Sequence, residues 1–130
     1  MSEIREHVQS FVALIEQGQS LEAIERYYAE DVCVFENRRL ARAGRDACLK
    51  FERKALAKQP EPPRCKVKGF AVNEVSGVAF IETRLRFYDD GGRPLRLEEV
   101  AVQRWESGHI IEERFYYEGV VDEGDLEDDM

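Results

Sequence analysis

The sequence is short of the residues that mark disulfide-bonded or metal-binding proteins. Its 130 residues include three cysteines and two histidines. The cysteines are far apart, odd in number and never spaced as CxxC, so neither a disulfide framework nor a zinc site is expected. The sequence also offers no motif for any other bound group. We therefore expect neither a metal nor a cofactor.

Basic charge and long apolar runs are scarce as well. Lysine and arginine total 19 against 27 acidic residues, for a formal net charge of -8. Nucleic-acid-binding faces need a basic excess, and anionic membranes attract basic segments. No apolar stretch approaches the roughly 20 residues of a membrane span, and no signal-peptide pattern opens the chain. We expect a cytoplasmic protein that binds neither nucleic acid nor membrane.

The length and the composition of the chain suit a single domain. Hydrophobic residues make up 43% of the chain and charged residues 35%, which is an ordinary balance for a globular protein. A chain of this length can bury one core without disulfides. We predict a single domain over residues 1–121, followed by a solvated acidic tail over residues 122–130.

The first half of the chain has a helical period of apolar residues. The predicted elements are a helix ending at Gly18, a helix capped by Ser20 and closed at Asp31, a strand over residues 32–36, a loop over 37–43, and a helix from Gly44 to about Lys58. Prolines then stop the third helix.

The second half alternates between apolar and polar residues, as strands do. The predicted strands are Arg64–Val75, Val78–Tyr88, Leu95–Glu106 and His109–Val120. Their connections are short turns, so neighbouring strands must run antiparallel. A glycine break at Gly69 favours a strongly bent sheet. The chain is therefore predicted to be an α+β domain, in which a curved antiparallel sheet packs on three helices and encloses a cavity.

Three stretches of the sequence resemble a known superfamily. They are Tyr28–Glu36, Gly44–Asp46 and the final hairpin Trp105–Tyr117. Their order and separation are similar to those of the nuclear transport factor 2-like superfamily, in its SnoaL-like and ketosteroid isomerase-like branch. The resemblance implies a cone-shaped fold with an internal cavity. Because that fold carries both enzymes and binding domains, it does not by itself specify a reaction.

Glu36 is the predicted catalytic residue. It follows four apolar residues, and it matches the position of the proton-shuttling carboxylate of ketosteroid isomerases. Burial at a cavity wall would raise its pKa toward the range of a general base. Alternatively, Glu36 pairs with a nearby arginine or meets solvent. The oxyanion donors of those isomerases match Val12 and Ala101 here, which cannot donate, so the usual isomerase mechanism is not expected.

Alternation and the resemblance together predict the faces of the sheet. The inward set on the last strand is Ile111, Glu113, Phe115 and Tyr117. The predicted lining of the cavity is Val12, Phe51, Leu85, Phe87, Glu99, Ala101, Gln103, Trp105, Glu113, Phe115 and Tyr117. Alternatively, the two glutamates meet solvent or an arginine, and the aromatic residues belong to the core.

The outward face carries an apolar band comprising Val78, Phe80, Val100, Val102 and Tyr116. Members of the resembled superfamily commonly pair through this face, so the resemblance implies a homodimer through the convex side of the sheet.

Two functions follow from these expectations. The first is a SnoaL-like domain that binds a small, largely apolar metabolite and performs cofactor-free acid/base chemistry of an isomerase or cyclase type. The alternative is a non-catalytic binding or dimerisation module on the same fold. The carboxylate at Glu36 favours the first function, whereas the missing donors at Val12 and Ala101 favour the second.

Overall fold

The computed structural model describes residues 3–122. Within this range the chain forms three helices and seven strands. The helices are α1 (Glu3–Glu16), α2 (Ser20–Tyr27) and α3 (Arg45–Ala57). The strands are β1 (Tyr28–Glu36), β2 (Arg39–Ala43), β3 (Arg64–Asn73), β4 (Val78–Tyr88), β5 (Pro94–Glu106), β6 (His109–Tyr116) and β7 (Val120–Asp122). The acidic tail predicted from residue 122 lies outside the described residues, except for Asp122.

The three predicted helices are present, with two corrections at α2. The turn after α1 contains Gly18 at φ +77°, a conformation that glycine adopts without strain. Gln19, not Ser20, is the N-cap, and no side chain caps the helix. Instead, the Ser20 hydroxyl donates to Glu52 on α3 over 2.7 Å. The helix also ends earlier than the predicted Asp31, because the chain becomes extended at Tyr28.

The predicted loop over residues 37–43 is largely strand β2, so that prediction was wrong. β1 and β2 pair antiparallel as a hairpin, with Glu36 opposite Arg39. The reversal uses Asn37 at φ +55°, a left-handed conformation that asparagine tolerates better than most residues. Arginines interrupt the alternation of apolar and polar residues in this segment, and its polar composition therefore suggested a loop.

The sheet follows the order β2-β1-β6-β5-β4-β3, and β7 pairs with β5. All neighbours are antiparallel except β1 and β6, which are parallel. The register shifts between Val67 and Gly69, as the glycine break predicted. Bulges of this kind bend a strand and increase its twist. The predicted α+β fold, a curved sheet wrapped on three helices, is confirmed.

A second bulge alters one predicted face. The register of β5 against β6 shifts beside Trp105, which pairs with Ile110. As a result Ile110 is fully buried and Ile111 is 37% exposed, so the inward position predicted for Ile111 was wrong. The predicted last strand is also interrupted after Tyr116 and resumes as β7.

The core lies between the helices and the inner face of the sheet. Its members include Val8 and Phe11 from α1, Ile24 from α2, and Ile81 from β4. Within residues 3–122 no helix is long and apolar enough to cross a bilayer. The core does not fill the space under the sheet completely, and the remaining volume forms the site described next.

Candidate functional site

A cavity of about 800 Å³ lies between the helices and the inner face of the sheet. Its walls come from all three helices, from the start of β1 and from strands β3 to β6. The predicted residues found in the lining are Phe51, Leu85, Phe87, Glu99, Ala101, Glu113 and Phe115. Most of the wall is apolar, and a few polar groups converge on it. This composition is typical of a small-molecule site.

Four residues predicted to line the cavity are not part of its wall. Val12 and Trp105 belong to the buried core, and Gln103 is fully buried behind the wall. Tyr117 lies beyond the end of β6, where its hydroxyl donates to Glu36 over 2.7 Å. Val12 sits on the face of α1 that packs into the core, so it is enclosed by apolar neighbours rather than by the cavity.

Glu113 on β6 is the most deeply buried acidic group of the site, with 2% of its surface exposed. The Tyr28 hydroxyl donates to one carboxyl oxygen, and the Gln103 amide donates to the other over 2.7 Å. Burial raises the pKa of Glu113, while these two hydrogen bonds and the Arg42 charge act in the opposite direction. The net pKa lies above the ordinary glutamate value.

Glu99 on β5 is the second carboxyl that the sheet presents to the cavity. It is half-buried, and no hydrogen bond from the described residues reaches its carboxyl group. Burial first, and then the charges of Glu113 and Glu36, raise the pKa of Glu99 to about 7, against an opposing effect of Arg42. A carboxyl group with this pKa can both give and accept a proton at neutral pH.

Glu36 is held outside the cavity lining by an arginine and a tyrosine. Arg42 Nη1 donates to its Oε2 over 2.9 Å, and the Tyr117 hydroxyl donates to its Oε1. Burial raises the pKa of Glu36, but these hydrogen bonds and the charges of Arg42 and Arg39 outweigh it and lower the net pKa. The raised pKa predicted for Glu36 was therefore wrong, because β2 brings Arg42 alongside it.

Arg42 also shapes the wall of the cavity. Its guanidinium lies over the Phe51 ring, 4.0 Å from the ring centre. This stacking holds the half-exposed Phe51 at the wall while Arg42 neutralises Glu36. The arginine thus limits how much negative charge surrounds Glu99.

Tyr28 is a site residue that sequence reasoning missed. The predicted second helix, closed at Asp31, included Tyr28, but this residue begins β1, and its hydroxyl reaches Glu113 on the neighbouring strand β6. Thr83, for which no role was predicted, lies opposite Glu99 on β4 and also lines the cavity. The signal that could have identified Tyr28 is its place at the start of the stretch Tyr28–Glu36, which carries the family resemblance.

The cavity wall also carries a thiol, that of Cys65. Burial raises the pKa of the Cys65 thiol at the cavity wall to about 11, with the charges of Glu99 and Glu16 adding to the effect. A thiol with that pKa is a poor nucleophile at neutral pH. In the described part of the chain, no three His, Cys, Asp or Glu side chains are placed to hold a metal ion.

Comparison with solved structures supports the fold. A candidate SnoaL-like polyketide cyclase from Mesorhizobium loti is 25% identical, with a TM-score of 0.69 over 90% of this chain and 100% of that chain. A second candidate SnoaL-like polyketide cyclase, from Jannaschia sp. CCS1, is 17% identical, with a TM-score of 0.74 over 91% of this chain and 90% of that chain.

A third structure carries a different description. SalBIII, an epoxide hydrolase/cyclase-like enzyme with a role in pyran ring formation in the polyether salinomycin, is 12% identical. It aligns with a TM-score of 0.73 over 89% of this chain and 91% of that chain. A search of curated proteins gave no match.

The family assignment rests on the sequence as well as on the fold. The SnoaL-like domain family matches residues 8–113, which include most of α1, all of α2 and α3, and β6 as far as Glu113. The matched region therefore contains both carboxyls that the sheet presents to the cavity. The chain belongs to the SnoaL-like domain family, within the nuclear transport factor 2-like superfamily.

Proposed function

We propose that this protein binds a small, largely apolar molecule in the cavity and that Glu99 performs acid/base chemistry on it. The observation that carries the proposal is the placement of Glu99. Its carboxyl lines the same largely apolar cavity as Glu113 and receives no hydrogen bond from the described residues. A group held in this way is available to a ligand.

The proposed chemistry is a proton transfer without a cofactor. Glu99 would donate its proton to, or remove one from, a bound molecule and return to its starting state when the proton moves back. The raised pKa of Glu99 suits this role, because a general acid or base works best with a pKa near the ambient pH. Cyclisation is one reaction class that such transfers serve, and a candidate polyketide cyclase is 25% identical to this chain.

Glu36 is less suited to the acid/base role predicted for it. Its carboxyl is occupied by Arg42 and Tyr117, and its lowered pKa makes it a weak base. In our proposal Glu36 instead contributes negative charge that raises the pKa of Glu99.

A non-catalytic binding module is the second candidate function. It is favoured by the lack of oxyanion donors, since Val12 is packed in the core and Ala101 presents only a methyl group. Losing such donors costs enzymes that stabilise an oxyanion roughly 3 to 4 kcal/mol of barrier lowering. A module of this kind would keep the cavity and the ligand but show no proton transfer.

Ligand binding can be tested with Nile red, a neutral apolar dye. We expect its fluorescence to rise on binding the wild-type protein. Ala101→Leu places extra side-chain volume at the cavity wall and should weaken binding about tenfold or more. Ala13→Leu, on the exposed face of α1, is the matched control and should bind normally. Equal binding by both variants, or no binding by the wild type, would contradict a ligand cavity.

Proton transfer can be tested with a nitrobenzisoxazole, a neutral probe that ring-opens when a base removes its carbon-bound proton. The electron pair of the C–H bond completes a carbon–nitrogen triple bond, the N–O bond breaks, and the oxygen leaves as a phenoxide on the same molecule, while the base keeps the proton. We expect the rate to rise with pH, with a midpoint near 7, and Glu99→Gln to lower it about 100-fold.

The controls separate the two candidate functions. Glu25→Gln, which replaces an exposed carboxyl on α2, should leave the rate unchanged, and Glu36→Gln tests the role predicted for Glu36. A Glu99→Gln variant as active as the wild type would refute the role of Glu99. Dye binding without any base activity would leave the binding module as the function.

We also propose that the convex face of the sheet mediates a homodimer. Phe80 lies beside Val102, and Val100 lies beside Tyr116, so the apolar residues adjoin one another on β4, β5 and β6. Phe80 and Tyr116 are 43% and 50% exposed in the single chain. Val78, predicted in the same band, is buried and adds little to it.

A further inference from the structure

A buried chain of hydrogen bonds leads from the aromatic core to the cavity. The Trp105 indole Nε1–H donates to Gln103 Oε1 over 3.0 Å, and Gln103 Nε2 donates to Glu113 Oε2 over 2.7 Å. The Tyr28 hydroxyl donates to the remaining carboxyl oxygen of Glu113. All four residues are more than nine-tenths buried. Bulk water therefore does not compete for these hydrogen bonds.

The Trp105 indole determines which groups donate and which accept between Trp105, Gln103 and Glu113. An indole N–H can only donate, so Gln103 must turn its carbonyl oxygen toward Trp105 and its amide nitrogen toward Glu113. Glu113 thus accepts from Gln103 at one carboxyl oxygen, and it accepts from the Tyr28 hydroxyl at the other. An ionised carboxylate accepts at both oxygens, whereas a protonated one must use one of them as a donor. The arrangement stabilises the charged form of Glu113.

We propose that Trp105 and Gln103 are positioning residues, which fix Glu113 as the ionised member of the carboxyl pair and thereby make Glu99 the member that carries the exchangeable proton. The chemical use of that proton rests on the proposed function, but the assignment of charge and proton does not. Trp105 acts through Gln103, and Gln103 acts through Glu113, so neither touches the ligand.

The surrounding charges agree with this division. Glu113 faces Tyr28 from β1, Arg42 from β2 and Cys48 from α3. Glu99 faces Cys65 from β3, and it is also influenced by Glu36, Arg42 and Glu113. Arg42 therefore acts on both carboxyls, whereas the two hydrogen-bond donors act on Glu113 alone. The charge of Glu113 disfavours ionisation of Glu99, so the proton stays on the carboxyl without donors.

The proposal can be tested by carboxyl-carbon NMR titration of the ligand-free protein. Trp105→Phe removes the indole donor and frees Gln103 to present its carbonyl oxygen to Glu113. Glu113 then becomes easier to protonate, and Glu99 loses a charged neighbour. We expect the pKa of Glu99 to fall from about 7 by roughly one pH unit. The pH midpoint of nitrobenzisoxazole opening should move in the same direction.

Tyr28→Phe provides an independent variant. It removes the second donor to Glu113 and leaves the indole in place, so it should lower the pKa of Glu99 even if Trp105→Phe fails to fold. Tyr27→Phe removes the hydroxyl of a neighbouring buried tyrosine that lies outside the chain of hydrogen bonds, and it should leave the pKa of Glu99 unchanged.

The outcomes distinguish this inference from the proposed function. An unchanged or raised pKa of Glu99 in folded Tyr28→Phe, or in folded Trp105→Phe, would overturn the inference. The expected shifts in a protein that binds no Nile red and opens no nitrobenzisoxazole would uphold the positioning roles while refuting the proposed function.

Discussion

At the scale of single residues, the Glu99 carboxyl provides a titratable group in the cavity but lowers the stability of the folded protein when it is ionised. Folding raises its pKa from 4.5 to about 7, so between these pH values the folded protein binds more protons than the unfolded chain. The free energy of unfolding must then fall as pH rises through this window and stay low above it. Glutamine at the same position carries no charge and avoids this loss.

We therefore predict that Glu99→Gln stabilises the protein at pH 8 by about 2 to 3 kcal/mol and has little effect at pH 4. Urea denaturation at both pH values measures the difference. Glu25→Gln is the control for replacing a carboxyl on the surface. A stabilisation of equal size at both pH values would contradict the raised pKa of Glu99.

Glu36 should show the opposite dependence on pH. Its pKa is lowered in the folded state, so its contribution is present above the ordinary carboxyl pKa and disappears as pH falls through the lowered value. We predict that Glu36→Gln destabilises the protein by about 1 kcal/mol at pH 7, with the difference vanishing in acid. The same denaturation series tests this, and a difference that persists in acid would refute the ion pair with Arg42 as its cause.

The sequence could predict some of these residues and not others. Alternation together with the family resemblance pointed to Glu99 and Glu113, because a strand places every second side chain on one face and the resemblance indicates which face is inward. The low pKa of Glu36 depends on Arg42, six positions away, and only the β1–β2 hairpin brings the two together. Tyr28 was missed because its hydroxyl meets a residue 85 positions later.

At the scale of elements, Asn37 connects the β1–β2 hairpin to the end of β6. Its backbone N–H donates to the Phe115 carbonyl over 2.8 Å, and its Oδ1 accepts from the Tyr117 amide over 3.1 Å. Its positive φ also suits the turn. Asn37 thus keeps Glu36 and Tyr117 close together, because it follows Glu36 in the chain and binds the Tyr117 amide.

We predict that Asn37→Ala lowers the free energy of unfolding by about 2 kcal/mol, since it loses a hydrogen bond and strains the left-handed backbone. Asn37→Gly loses the hydrogen bond alone and should cost about half as much. Asn37→Asp keeps an acceptor and tolerates the turn, so it serves as the control. Equal losses in the alanine and glycine variants would show that backbone strain plays no part.

The elements themselves were predictable to different degrees. The change from helical to alternating period after residue 60 separated the helices from the sheet correctly, because both periods are local properties of the chain. The position of the bulge beside Trp105 could not be predicted, since a single extra residue leaves no mark in composition. That bulge exchanged the faces of Ile110 and Ile111.

At the scale of the whole molecule, the proposed dimer can be tested by light scattering. We predict that Phe80→Asp, in the centre of the outer apolar band, gives monomers. Leu40→Asp is a matched control, because Leu40 is 51% exposed but lies on β2, away from the band. The variant Leu40→Asp should remain dimeric. A wild-type protein that is monomeric at high concentration would contradict the proposal.

The central claim is that a carboxyl in an apolar cavity titrates near neutral pH and responds to a ligand. Carboxyl-carbon NMR titration of Glu99, with and without saturating Nile red, tests it most directly. We predict a pKa of about 7 in the free protein, and a higher value with the dye bound, because the dye displaces water from the carboxyl. A pKa near the ordinary 4.5 that does not change with the dye would contradict the claim.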